Sequence, residues 1–396
     1  MADDGLALPP GTRLLHIGPH KTGTTALQRA LQEGRERLLE HDVVYPGNGP
    51  SHIRGAVAVT GARGLVGAPK TSMREWRRLV KRVEAAGDRR VVISSEFFDM
   101  ADDATARSIV EELGGPRVHV VVTLRPLAKI LPSAWQQAVR SRLRLSYEEW
   151  LKRLFAETPK IQTAKTFWKR HHHDVLIARW AAAVGTDNLT VVVLDESDRM
   201  MLLHTFEQML AVPADTLRFT AGRTNRSLTL PETELVRQLN QEFRRREWSE
   251  QAYARFIRLG VVEHLQLTRQ PPPDEPGITT PRWALERAAE IGARAAKVIE
   301  ASGVRVVGDL STLGTGPRPG ARDGDAERAA AVAQLPTDAA MTAVIGAVLA
   351  ASPGDSTGKE EPAAPPRRVE DRAVREVGAR TLLGVVARRA RKRLRR

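Results

Sequence analysis

The chain has 396 residues, a formal net charge of +14 and no cysteine. That length accommodates one large domain with appendages, and the missing cysteine excludes disulfides, thiol nucleophiles and cysteine–zinc sites. The charge is uneven: the last thirty residues hold 12 Arg or Lys against 3 Asp or Glu and so carry +9, leaving +5 for the rest, which argues against a nucleic-acid-binding body.

The opening stretch, MADDGLALPPG, has no basic-then-apolar leader pattern. No apolar run approaches the roughly 18 residues of a spanning helix. A cytoplasmic protein is expected. The first predicted element is a buried strand, Leu14 to Ile17, followed by Gly18-Pro19-His20-Lys21-Thr22-Gly23-Thr24-Thr25. Ala26, Leu27, Ala30 and Leu31 then return at helical spacing, predicting a helix over 24–40. Strand, glycine-bearing loop and helix together make a phosphate cradle. The helix N-terminus offers unpaired N–H groups and a favourable dipole to an anion, glycine permits close backbone approach, threonines add hydroxyl donors, and Lys21 adds a full charge.

VVYPGNG, residues 43–49, reads as a short extended piece and turn, and residues 51–70 give no assignable element. A helix is predicted over 72–86, with Trp76, Leu79, Val80 and Val83 on one face. A second strand, Val91 to Ser94, runs into Ser95-Glu96. Ligands of open α/β sheets bind beyond the carboxyl ends of strands, so Glu96 is a candidate general base, and Ser94 and Ser95 are candidates for holding an acceptor or the group transferred. After a helix at 103–113, a third strand, Val118 to Leu124, leads into Arg125, and Pro126 opens the next helix. Arg125 and Ser133 span this strand-to-helix junction, where a guanidinium and a hydroxyl can clamp a phosphate.

Residues 135–173 mix basic and aromatic side chains, among them Trp135, Arg140, Tyr147, Trp150, Phe167 and Trp168, and are the expected acceptor pocket. His171-His172-His173 cannot all face one ion from a helix. A fourth strand is predicted over 188–195 and further helices over 178–184, 199–210, 232–246, 249–267 and 281–301. Between them lies GRTNRS, in which Asn225 and Ser227 suit turn or N-cap duty as well as a ligand. A Gly/Pro-rich connector, 311–366, encloses an alanine-rich helix over 327–351, and 367–396 is a basic tail with an apolar stretch before its arginines. That tail suits an anionic membrane surface, a partner, or plain solvation.

The nucleotide-triphosphatase loop places its lysine after the last glycine, as G-x-x-x-x-G-K-[ST]. Here Thr24 follows Gly23, and Lys21 precedes it. The pattern P-x-K-T-G-T-T-x-L, from Pro19 to Leu27, instead resembles the 5′-phosphosulfate loop of the sulfotransferases that use 3′-phosphoadenosine 5′-phosphosulfate (PAPS). The resemblance covers residues 12–230. It implies an α/β, P-loop-like sulfotransferase fold with a central, mostly parallel sheet in a domain spanning 1–310, and a helical or disordered extension. It implies that Lys21, Thr22, Gly23, Thr24 and Thr25 bind the phosphosulfate, with Lys21 also neutralising the leaving oxygen, and that Glu96 takes the proton of a hydroxyl-bearing acceptor. It implies that Arg125 and Ser133 hold the 3′-phosphate, and that Arg223, Asn225, Arg226 and Ser227 lie by the cofactor, with no metal. Two rival readings are a P-loop kinase using ATP and magnesium, for which Asp195 at a strand end is the candidate metal ligand, and a non-enzymatic basic protein that binds membrane or nucleic acid.

Overall fold

The structure, a computed structural model, describes residues 5–62, 71–219, 226–316 and 335–351. They fall into two compact units. One is drawn from Met1–Trp135, Tyr147–Gly222 and Thr279–Asp325, the other from Gln136–Ser146, Arg223–Ile278 and Ala326–Arg396. The expected 1–310 domain contributes residues to both units. The basic tail at 367–396 and most of the connector lie outside the described residues.

The first unit is α/β. Its six strands are β1 (Arg13–His16), β2 (Val43–Val44), β3 (Arg90–Ser94), β4 (Val118–Leu124), β5 (Leu189–Val193) and β6 (Arg305–Val307), in the order β2-β3-β1-β4-β5-β6, all parallel. Parallel strands covered on both faces need apolar residues at successive positions, and VVI, VVV and VVV supply them. Alternation sorts them between two cores. Leu15, Ile93, Val120 and Val122 pack on one face, and Leu14, Val92, Val121 and Val192 on the other. The first face is covered by α3 (Ile53–Thr60), α4 (Met73–Glu84), α5 (Asp103–Leu113), α9 (His173–Val184) and the long helix Arg282–Ala301. The second is covered by α1 (Thr24–Glu33), α2 (Arg35–Glu40) and α10 (Met201–Leu210). Between α5 and α9 run α6 (Leu127–Arg140), α7 (Tyr147–Leu154) and α8 (Gln162–His171).

Three expectations are corrected here. The helix predicted over 24–40 breaks at Gly34. A side chain there would come within 2.9 Å of the Ala30 carbonyl and 3.1 Å of the Thr216 carbonyl, so only glycine lets the neighbouring backbone in. Residues 53–60, given no element from sequence, form α3, whose Ala56 and Val57 are buried. The aromatics expected to line an acceptor pocket pack instead against one another: Trp135, Tyr147, Trp150 and Phe167 are all buried, with Tyr147 stacked on Trp150 at 6.1 Å between ring centroids.

The second unit is helical. Its helix Leu230–Arg245 starts at a capping box in which Thr229 and Glu232 satisfy each other's backbone N–H groups. Glu232 is fully buried and is held by Arg226 at 2.6 Å and Arg269 at 2.8 Å. Arg226, expected beside the cofactor's 3′-phosphate, is engaged in this ion pair. The helix predicted over 249–267 is α only at its ends, Glu250–Ala252 and Glu263–Thr268. Between them Tyr253–Val262 winds as a π-helix. Against it packs Thr337–Ala351, the described part of the alanine-rich helix. A Cβ on Gly260 would lie 2.8 Å from the Gly346 carbonyl, so the two backbones meet where neither residue has a side chain. Among the described residues no helix is long and apolar enough to cross a membrane.

Candidate functional site

β1 delivers its chain to the carboxyl edge of the sheet with β3 on one side and β4 on the other; His16 lies opposite Ser94 and Val121. The loop that follows bends through three residues of positive φ, Gly18 at 83°, Lys21 at 70° and Gly23 at 81°. Gly23 is the N-cap of α1, whose first turn contains no acid. The first N–H groups of an α-helix have no intrahelical partner, so α1 presents the positive end of its dipole to the loop that carries Lys21, an arrangement that suits an anion.

Polar side chains brace the loop from below. His16 is fully buried, with Nδ1 2.8 Å from Ser94 Oγ and Nε2 3.2 Å from Thr123 Oγ1. Burial pushes its pKa down to about 3, so the ring is neutral. Thr123 Oγ1 also lies 2.7 Å from Thr22 Oγ1, and Thr22 donates its hydroxyl to the Pro19 carbonyl at 2.6 Å. The Thr22 hydroxyl therefore serves the loop's shape, and its backbone is what remains for a ligand. Thr24 is buried and Thr25 exposed.

Glu96 lies immediately beside the cradle. A Cβ placed on Gly18 would sit 3.0 Å from both Cα and Cβ of Glu96, so the absence of a side chain at Gly18 is what lets the two segments meet. Glu96 is half-buried, and its Oε2 accepts from Gln28 Nε2 at 3.2 Å. The same Gln28 amide lies 3.2 Å from Ser94 Oγ. Both expected serines are buried and already engaged: Ser94 lies between His16 and Gln28, and Ser95 accepts the Phe97 N–H at the start of the short 3-10 helix Glu96–Met100.

On the other side, Arg125 follows the last residue of β4. Its guanidinium donates through Nε, at 2.8 Å, and through one terminal nitrogen to Glu196 Oε1. Lys129, one turn into α6, reaches Glu196 Oε2 at 3.1 Å. Ser133 is half-buried and donates to the Ile130 carbonyl at 2.9 Å in its own helix. Ser227 is exposed and belongs to the second unit, while Arg223 and Asn225 lie outside the described residues. Asp195, the acid of the kinase reading, accepts the backbone N–H and the hydroxyl of Ser197 at 2.8 and 2.7 Å, and those bonds lower its pKa.

Sequence reasoning passed over a second polar group on this loop. His20 Nδ1 lies 2.8 Å from Oδ2 of Asp99, which is fully buried. The ring meets Phe97 edge-on at 5.0 Å, and Arg170 lies over the same Phe97 at 5.7 Å. Burial, and then the nearby His173, His20, Arg170 and Lys21, hold His171 well below its ordinary pKa. A carboxylate fixing one ring nitrogen of a histidine sets its tautomer and orientation. The signal was present, since His20 is inside the motif and Asp99 three residues past Glu96, but pairing them needs the sheet register. The arrangement joins an anion cradle, a lysine and a partly accessible carboxylate within one loop-and-strand cluster, the parts needed to stabilise a departing anion and remove a proton. No protein-family model matches the chain, and no curated protein matches it.

Proposed function

We propose that the chain is a sulfotransferase that moves the sulfonate of PAPS to a hydroxyl or amine of a small-molecule, carbohydrate or lipid acceptor, through a P-loop-like sulfotransferase fold. One observation carries this reading. β1 pairs with both β3 and β4, so the PHKTGTT loop has the candidate base Glu96 on one side and the candidate phosphate clamp Arg125 on the other. In this scheme the backbone of Thr22 to Thr25 binds the phosphosulfate, and Lys21 stabilises charge on the bridging oxygen as the sulfur–oxygen bond breaks. Glu96 accepts the acceptor's proton as the new oxygen–sulfur bond forms. Arg125 holds the 3′-phosphate and thereby positions the nucleotide.

The test is thermal denaturation of the full chain with adenosine 3′,5′-bisphosphate, the spent co-substrate, beside ATP with magnesium. A ligand at about 100 times its Kd adds about 2.7 kcal/mol, worth several degrees for a domain of this size. A shift with the bisphosphate alone is expected. A shift only with ATP and magnesium would refute the reading in favour of a kinase.

A further inference from the structure

The candidate phosphate clamp already holds an anion. Arg125 donates through two nitrogens to one oxygen of Glu196, and Lys129 meets the other oxygen at 3.1 Å. The three side chains come from different elements: the end of β4, the first turn of α6, and the segment just past β5. None is buried. The side chains of Arg125, Lys129 and Glu196 are 32%, 57% and 41% exposed. A solvated ion pair is weak enough to exchange partners, and a guanidinium fork accepts carboxylate or phosphate oxygens in the same geometry.

We infer that Glu196 is an internal competitor for the 3′-phosphate subsite: its carboxylate occupies Arg125 and Lys129 in the place of a 3′-phosphate, and a nucleotide carrying that phosphate must displace it. This inference rests on the proposed role of Arg125. A 3′-phosphate brings nearly two negative charges and three acceptor oxygens, so it outcompetes one carboxylate for two cations. A 3′-hydroxyl brings no charge and leaves the Glu196 pairs intact. Glu196 therefore lowers affinity for the bisphosphate, because its pairs must be broken first and its charge then remains beside the phosphate. Lys129 becomes the second cation of the subsite, one turn along α6 from the Arg125 junction.

The experiment is calorimetric titration of the wild-type chain, Glu196→Gln and Lys129→Ala with adenosine 3′,5′-bisphosphate and with adenosine 5′-monophosphate, at one fixed ionic strength. Glu196→Gln should bind the bisphosphate about 3- to 10-fold more tightly, the range of an exposed charge pair removed together with a repulsion, and the monophosphate unchanged. Lys129→Ala should weaken the bisphosphate alone. If Glu196→Gln binds the bisphosphate no better than wild type does, the inference falls while the sulfotransferase reading stands. If the wild-type chain prefers neither nucleotide, the assignment of Arg125 falls and takes the inference with it. All three side chains are at the surface, and an unchanged melting temperature in each variant confirms an intact fold.

Discussion

Mild acid should unfold the first unit through its histidines before its carboxylates titrate. Burial lowers His16 to about 3 and brings His52, His119 and His173 to about 4, from an ordinary 6.5. For His52 the hydrogen bonds to Pro46 and Ser94 oppose burial, and for His119 the Arg305 charge adds to it. All four are buried. The sign follows from proton counting: between pH 4 and 6.5 the unfolded chain binds protons at these sites and the folded chain does not, so stability rises with pH across that window and falls on acidification. Each histidine removes just under ~2 kcal/mol of stability between pH 7 and pH 5, about 7–8 kcal/mol for the four, from 1.36 kcal/mol per proton and pH unit. That is comparable with the whole stability of an ordinary domain, about 5–15 kcal/mol. Urea unfolding followed by tryptophan fluorescence at half-unit steps from pH 7.5 to 4.5 measures the slope. His119→Gln keeps a polar partner for the Thr190 hydroxyl, 2.8 Å from the His119 ring, and should reduce the slope by one histidine's share. Stability that stays flat down to pH 5 would refute the reasoning.

Other outcomes follow from the cradle and from the helical unit. Lys21→Ala should cost at least about 10²-fold in turnover, the scale of one preorganised oxyanion donor, measured as sulfonate transfer or as bisphosphate release. Glu96→Gln should lose about 10²–10⁴-fold in turnover with bisphosphate affinity retained; lost affinity would make Glu96 structural. Gly18→Ala forces an alanine to φ 83° and sets its Cβ 3.0 Å from Glu96, so the backbone alone should cost about 1–2 kcal/mol, seen as a lower melting temperature, and displacement of Glu96 should depress turnover further. Gly346→Val should destabilise the second unit by about 1–3 kcal/mol through overpacking, read by chemical denaturation, because a Cβ there already meets His264 Cβ at 2.7 Å.

The central strands were legible because a parallel strand buried on both faces carries apolar residues at successive positions, as Leu14-Leu15, Val91-Val92-Ile93, Val120-Val121-Val122 and Val191-Val192-Val193 do. β6 was missed for the opposite reason, and β2 was legible only as a short extended piece. Val43–Val44 is two residues long, and Arg305–Val307 lies at an edge with no buried position. The π-winding of Tyr253–Val262 has no pattern distinct from an α-helix in so short a window. The approach of Glu96 to the loop followed from strand order, since a strand-end carboxylate and a strand-end cradle meet if their strands are neighbours. The bracing of His16 by Ser94 and Thr123 did not, because those residues are 78 and 107 positions away and meet only through lateral register. Glu196 was overlooked for Asp195 beside it. An acid at a strand end suggests a metal ligand, whereas the one that reaches a cation depends on how the chain turns after β5.

Lys21 is not a glycine, yet it sits at φ 70°. An L-residue in that conformation costs about 1–2 kcal/mol, so the loop keeps its charge at the expense of rest energy. Replacement by glycine would relieve that cost and delete the ammonium in one step. Heat resistance and chemistry therefore pull this position in opposite directions. In a library of loop variants screened for survival at high temperature alone, glycine should be enriched at position 21 and the survivors should be inert; screened for turnover, lysine should return with a lower melting temperature.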